Sequence, residues 1–126
     1  MRTFQNFVNG EPVDAADGRT TAVVNPATGQ QYATAPLSAE ADVDAAMSAA
    51  ASAYEEWRET TPSERSLALF RIADAVEARA EELIALEVEN CGKPEHLTRS
   101  EEIPPMVDQI RFFATAARHL EGKSAG

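Results

Sequence analysis

The sequence predicts a mixed α/β chain in which two β-hairpins are followed by three or four amphipathic helices. Three observations carry this expectation. An Asn-Gly pair sits between short apolar runs, two further β-type runs flank a Pro/Gly loop, and from Ser38 the apolar residues switch to steps of three and four. The hairpins are assigned to residues 1–37 and the helices to residues 38–122, within one segment spanning 1–126.

Phe7-Val8-Asn9-Gly10-Glu11-Pro12-Val13 predicts the first hairpin, because a two-residue turn of this type needs positive φ at both central residues and Asn-Gly supplies it. Thr20 to Val24 and Gln31 to Ala35, joined by Asn25-Pro26-Ala27-Thr28-Gly29, predict the second. Val43, Ala46, Met47, Ala50, Tyr54 and Trp57 then share one helical face, with Ser38 as the expected N-cap. Thr61-Pro62-Ser63-Glu64 reads as a capping box with proline at the first helical position. The stripe it opens, Leu69, Ile72, Ala73, Val76, Ala80 and Leu83, continues to Ile84 and Leu86. It stops at Asn90-Cys91-Gly92-Lys93-Pro94, where Gly92 suits a left-handed cap and Pro94 prevents continuation. A last helix is expected from Ile103-Pro104-Pro105, with Val107, Ile110, Ala114 and Ala117 on one face and an end at Gly122. Two hairpins alone are marginal, and the chain stops just after a helix, so the sequence reads as a piece of something larger.

The 126 residues, 44% hydrophobic and 25% charged, suit one globular unit. Eleven basic residues against twenty-one acidic ones give a net charge of -10, which repels a phosphate backbone and argues against nucleic acid as a partner. No run is long enough for a membrane helix, which argues against membrane insertion. The single cysteine and the absence of a signal-peptide core point to a reducing, cytoplasmic setting.

Cys91 reads as structural, since a helix C-terminus opposes a thiolate even with Lys93 nearby. His96 and His119 lack metal-ligand spacing and read as surface histidines. Ala117 to Ser124 nearly spells a phosphate-binding loop, but a helix precedes it and no helix can follow, so the match is chance. Glu101 and Glu102, with Asp108 a turn later, have two readings: acidic residues favoured at a helix N-terminus, or a negative mouth for a cationic ligand.

Phe7-Val8-Asn9-Gly10, Val24-Asn25-Pro26-Ala27-Thr28-Gly29, Asp42-Val43-Asp44-Ala45-Ala46 leading to Trp57, and Thr61-Pro62-Ser63-Glu64-Arg65 together resemble the N-terminal quarter of the aldehyde dehydrogenase superfamily. Asn90-Cys91-Gly92-Lys93-Pro94, Glu102-Ile103-Pro104, Val107-Asp108 and Arg111-Phe112-Phe113-Ala114 are similar to bacterial gamma-aminobutyraldehyde dehydrogenases. The resemblance implies a full-length enzyme that oxidises 4-aminobutanal to 4-aminobutanoate with NAD, in polyamine breakdown. There a cysteine thiolate attacks the aldehyde, hydride passes to nicotinamide, and a glutamate-activated water releases the acid.

The family's catalytic and cofactor-contacting residues lie downstream, so none is assigned here, and the 126-residue chain is expected to be inactive and poorly ordered alone. Cys91 stands where relatives often have Thr. By position, the resemblance places Glu101, Glu102 and Pro105 at the aldehyde entry tunnel; Pro105 replaces the acidic residue of some relatives. It also implies a potassium or sodium ion near the backbone oxygens of Val24 and Asn90, where Asn90 replaces an aspartate. A homo-oligomer of the complete chain is the expected assembly. The competing expectations are an enzyme for betaine aldehyde, succinic semialdehyde or another aldehyde, and a free-standing acidic helical module that binds a partner protein.

Overall fold

Both expected turns form in the computed structural model, which describes residues 1–119 and 121–123. Strands β2 (Asn6–Val8) and β3 (Glu11–Val13) pair antiparallel around Asn9 (φ 53°) and Gly10 (φ 83°), the two positive values that the sequence pattern demands. Strands β4 (Thr20–Val24) and β5 (Gln31–Pro36) pair antiparallel, with an irregularity at Val23 and Val24. In their connection the Asn25 side chain accepts from the Ala27 N–H at 2.8 Å, and the Asn25 carbonyl accepts from Gly29 at the same distance.

The second hairpin is in fact part of a three-stranded sheet. β1 (Arg2–Thr3) lies parallel to β5, giving the order β1-β5-β4. A two-residue strand has no periodicity to reveal it. It is held by the Phe4 N–H bond to the Thr34 carbonyl (2.8 Å), an edge-to-face Phe4–Tyr32 contact at 6.2 Å and the Arg2 guanidinium over the Tyr32 ring.

The chain divides into two units, Met1–Glu59 and Thr60–Gly126. The first holds the strands and α1 (Glu40–Trp57). Its N-cap is Ala39 rather than Ser38, whose hydroxyl instead accepts from the Asn6 amide at 2.8 Å. Capping falls to Asp42. One carboxylate oxygen accepts from the Ala39 N–H (2.8 Å) and the other from the Ala16 N–H (2.7 Å), so one side chain ties the helix start to the loop before β4. The apolar stripe of α1 forms but stays open within its unit, with Val43, Met47, Tyr54 and Trp57 all exposed.

In the second unit, α2 (Pro62–Ala78) starts at the expected capping box: Thr61 Oγ1 accepts from the Glu64 N–H, and Glu64 accepts from the Thr61 N–H at 2.7 Å. The run then breaks at Arg79 (φ -108°, ψ 20°), and α3 (Ala80–Cys91) begins directly. The flanking residues are good helix formers, so local propensity gives no sign of this bend. Arg79 closes it with a two-pronged bond to Glu82 (2.9 and 2.7 Å), and packing holds it: Ala73 of α2, Ile84 of α3, and Ile103 and Val107 of the last helix form one buried cluster. Gly92 takes the left-handed conformation (φ 68°) and donates to the Val88 carbonyl, ending α3 as expected.

A single turn, α4 (Glu95–Leu97), and a π-helical segment, Thr98–Glu102, lead into α5 (Ile103–Ala116). The last helix stops at Ala116 rather than Gly122, leaving Ala117 and Arg118 in a turn. Arg111 pairs with Asp74 (2.9 Å) and Glu77 (2.7 Å), fixing α5 to α2, while Arg99 pairs with Glu81 and Glu95.

Candidate functional site

The second unit carries a groove of ≈ 470 Å³ along α5, lined by Leu69, Glu102, Pro105, Met106, Gln109, Ile110 and Phe113. Six of these residues recur along α5 and the turn before it at 102, 105, 106, 109, 110 and 113, the steps of three and four that put side chains on one helical face. Leu69 of α2 supplies the opposite wall. The lining is apolar except for Glu102 and Gln109, the composition of a surface that holds a hydrocarbon body and orients one polar end.

Two of the three expected tunnel residues, Glu102 and Pro105, therefore meet in one groove. Glu101 lies outside the lining; it is exposed, and its carboxylate accepts from the Ser100 hydroxyl at 3.1 Å. Glu102 is half-buried, and both its oxygens accept from Lys93 Nζ at 2.9 and 3.1 Å. The same ammonium donates to Glu87 at 2.7 Å. These bonds hold the Glu87 carboxyl below the usual glutamate range, with Cys91 contributing a smaller share, and raise Lys93 above an ordinary lysine. Lys93 thus serves two carboxylates, in keeping with the reading of Cys91 as structural even with Lys93 nearby.

Cys91 is a free, exposed thiol at the last residue of α3, with the Asn90 amide 3.8 Å from its sulfur. His96 and His119 are exposed, and the described residues contain no group of three or more His, Cys, Asp or Glu side chains that could hold a metal. Val24 closes β4 in the first unit, and Asn90 lies in the last turn of α3 in the second. The phosphate-loop look-alike falls partly on Leu120 and Ser124, outside the described residues; α5 ends at Ala116, directly before it, and its first two residues form a turn.

Dinucleotide binding needs a glycine-rich turn between a strand and a helix N-terminus. Among the described residues the strand-to-helix passage, β5 to α1, runs through Leu37-Ser38-Ala39, without glycine, and its helix start is capped by a carboxylate. These residues do not fit NAD. The sequence singled out Glu102 and Pro105 but passed over Met106, Gln109, Phe113 and the clamp on Glu102. The lining was readable as the second stripe of α5, beside the buried stripe of Ile103, Val107 and Ala114.

The family model for the aldehyde dehydrogenase family matches residues 13–126. A probable aldehyde dehydrogenase of Mycobacterium tuberculosis is 40% identical over 119 residues, which cover 94% of this chain and 24% of that relative. The fluoroacetaldehyde dehydrogenase of Streptantibioticus cattleyicolor is 38% identical over the same length, again 24% of the relative. Among solved structures, the NAD+ complex of aldehyde dehydrogenase from Bacillus cereus superposes with a TM-score of 0.93 at 35% identity, covering 98% of this chain and 26% of that one. The chain spans about a quarter of the length of these relatives and matches their N-terminal part. No helix among the described residues is long and apolar enough to cross a membrane. With a family model matching all but its first twelve residues, the chain belongs to the aldehyde dehydrogenase family.

Proposed function

We propose that this segment is the entry-side scaffold of an NAD-dependent aldehyde dehydrogenase, and that the complete protein oxidises 4-aminobutanal to 4-aminobutanoate in polyamine breakdown. The observation that carries the reading is the α5 groove, an apolar channel with the Glu102 carboxylate and the Pro105 ring on its lining and Glu101 one residue away. Met106, Ile110 and Phe113 hold the alkyl chain by excluding water. The acidic rim draws the ammonium end, because a carboxylate at a low-dielectric mouth raises the local concentration of cations. Nucleophile, general base and NAD site belong to the rest of the protein, so no chemical step is assigned to these residues, and the 126-residue chain alone is inactive. NAD supplies the hydride acceptor when bound there.

A neutral short-chain aldehyde is the second reading, favoured by the pairing of both Glu102 oxygens with Lys93 and by the relatives above, one named for fluoroacetaldehyde. The finer parts of the proposal are a homo-oligomer, a cytoplasmic setting that suits the free thiol of Cys91, and a potassium or sodium ion near Val24 and Asn90. Asn90's place at the negative end of α3 supports the ion; two residues do not complete a hard cation's oxygen shell, so other donors come from elsewhere in the protein.

The test is NADH formation by the product of the complete reading frame with 4-aminobutanal, butanal and acetaldehyde. The proposal expects turnover of all three, the lowest KM for 4-aminobutanal, and a rise of about two- to fivefold in that KM alone for Glu101→Gln. Equal KM values for 4-aminobutanal and butanal would remove the amine assignment, and no NADH from any aldehyde would remove the function.

A further inference from the structure

We propose that Lys93 is a specificity-determining positioning residue: it holds the Glu102 carboxylate at the rim of the α5 groove and offsets part of its charge, limiting how strongly the rim draws a cationic aldehyde. This rests on the reading of the groove as the aldehyde-facing surface. Gly92, in the left-handed conformation, turns the chain out of α3, and Lys93 then reaches both Glu87 on that helix and Glu102 at the head of α5. Both oxygens of Glu102 lie on the one ammonium, so the carboxylate is fixed in place, and its field toward the groove is compensated in part, the ammonium being shared with Glu87.

Charge accounting gives the distinguishing signature. Glu87, Glu102 and Lys93 sum to one negative charge; removing the lysine leaves two, and removing Glu102 as well restores one. A merely structural tie predicts something else, a loss of stability that affects cationic and neutral ligands alike.

The experiment uses the product of the complete reading frame, with butylammonium and 1-butanol as probes of equal length and different charge. Binding is followed by saturation-transfer NMR at low and high salt. Lys93→Met is expected to tighten butylammonium about threefold, the size of an exposed ion-pair effect, and to leave 1-butanol unchanged. Lys93→Arg and the double variant Lys93→Met/Glu102→Gln return to the wild-type ratio, and high salt shrinks the difference. Should Lys93→Met fail to fold, Glu102→Gln tests the same charge in reverse and weakens butylammonium about threefold. A butylammonium-to-butanol ratio that stays the same across these variants overturns the role of Lys93. Wild-type binding of both probes that survives Gln109→Trp, which fills the groove, overturns the groove reading itself.

Discussion

The two units of this chain are held together by different means. In Met1–Glu59 the buried apolar residues are Ala15 and Ala33, and order comes from turn geometry, strand pairing and the carboxylate of Asp42. In Thr60–Gly126 three larger side chains, Ile84, Ile103 and Val107, pack with Ala73, Ala114 is also buried, and arginines tie helix to helix. Full burial of an aliphatic side chain contributes about 1.5–3 kcal/mol, against about 1 kcal/mol for a net hydrogen bond. The second unit can therefore hold a groove in fixed shape, whereas the first depends on contacts that each contribute little.

The largest expected effect follows from that contrast. Ile84, 2% exposed, touches the cluster shared by α2, α3 and α5. Ile84→Ala should cost about 2–4 kcal/mol through lost transfer energy and the cavity left behind. Thermal melts and amide exchange should show the loss in the second unit, with the protection of β4 and β5 unchanged. An equal loss in both units would show that the two do not differ in the way described.

Much of this difference was legible in the residues. Asn9-Gly10, the Thr61–Glu64 box and Gly92 each encode a local conformation that neighbouring contacts cannot easily override, and each formed as expected. Long-range choices were not legible. The bend at Arg79 is made by packing among good helix formers, and β1 exists because β5 offers it a partner. Capping passed from Ser38 to Asp42 because the serine hydroxyl accepts a bond from Asn6, 32 residues away. For the site, spacing alone put Glu102 and Pro105 on one face. That Lys93 sits on Glu102 depends on how the turn after α3 folds back, which no local pattern states.

A smaller effect is expected in the first unit. Asp42→Ala removes acceptors from the Ala39 and Ala16 amides, both reachable by water, at a cost of about 1 kcal/mol. Faster amide exchange at the start of α1 and near Ala16, with the second unit unaffected, is the outcome to look for.

The smallest effect is on acid sensitivity. Lys93 holds Glu87 low, Arg99 holds Glu81, Arg79 holds Glu82 and the Thr61 amide holds Glu64; in the first unit Arg19 does the same for Asp17. A carboxylate whose native pKa is depressed adds stability above its unfolded value and loses it as pH falls through the native one. Stability against denaturant should therefore fall as pH drops below about 4.3, the ordinary glutamate value, and more in the second unit than in the first. These groups are exposed and screened, so the change stays small beside Ile84→Ala.

The most direct test of the functional account sets one region against the other. The first unit has its own smaller groove, of ≈ 280 Å³, lined by Phe7, Val8, Val43 and Ala46 among others, which has no assigned role in catalysis. In the product of the complete reading frame, Gln109→Trp fills the α5 groove and Ala46→Trp fills the other. The account predicts that Gln109→Trp raises the KM for 4-aminobutanal about tenfold or more, while Ala46→Trp leaves KM and kcat at wild-type values. The reverse pattern, or an equal rise in both, would contradict the assignment of the α5 groove as the aldehyde-facing surface.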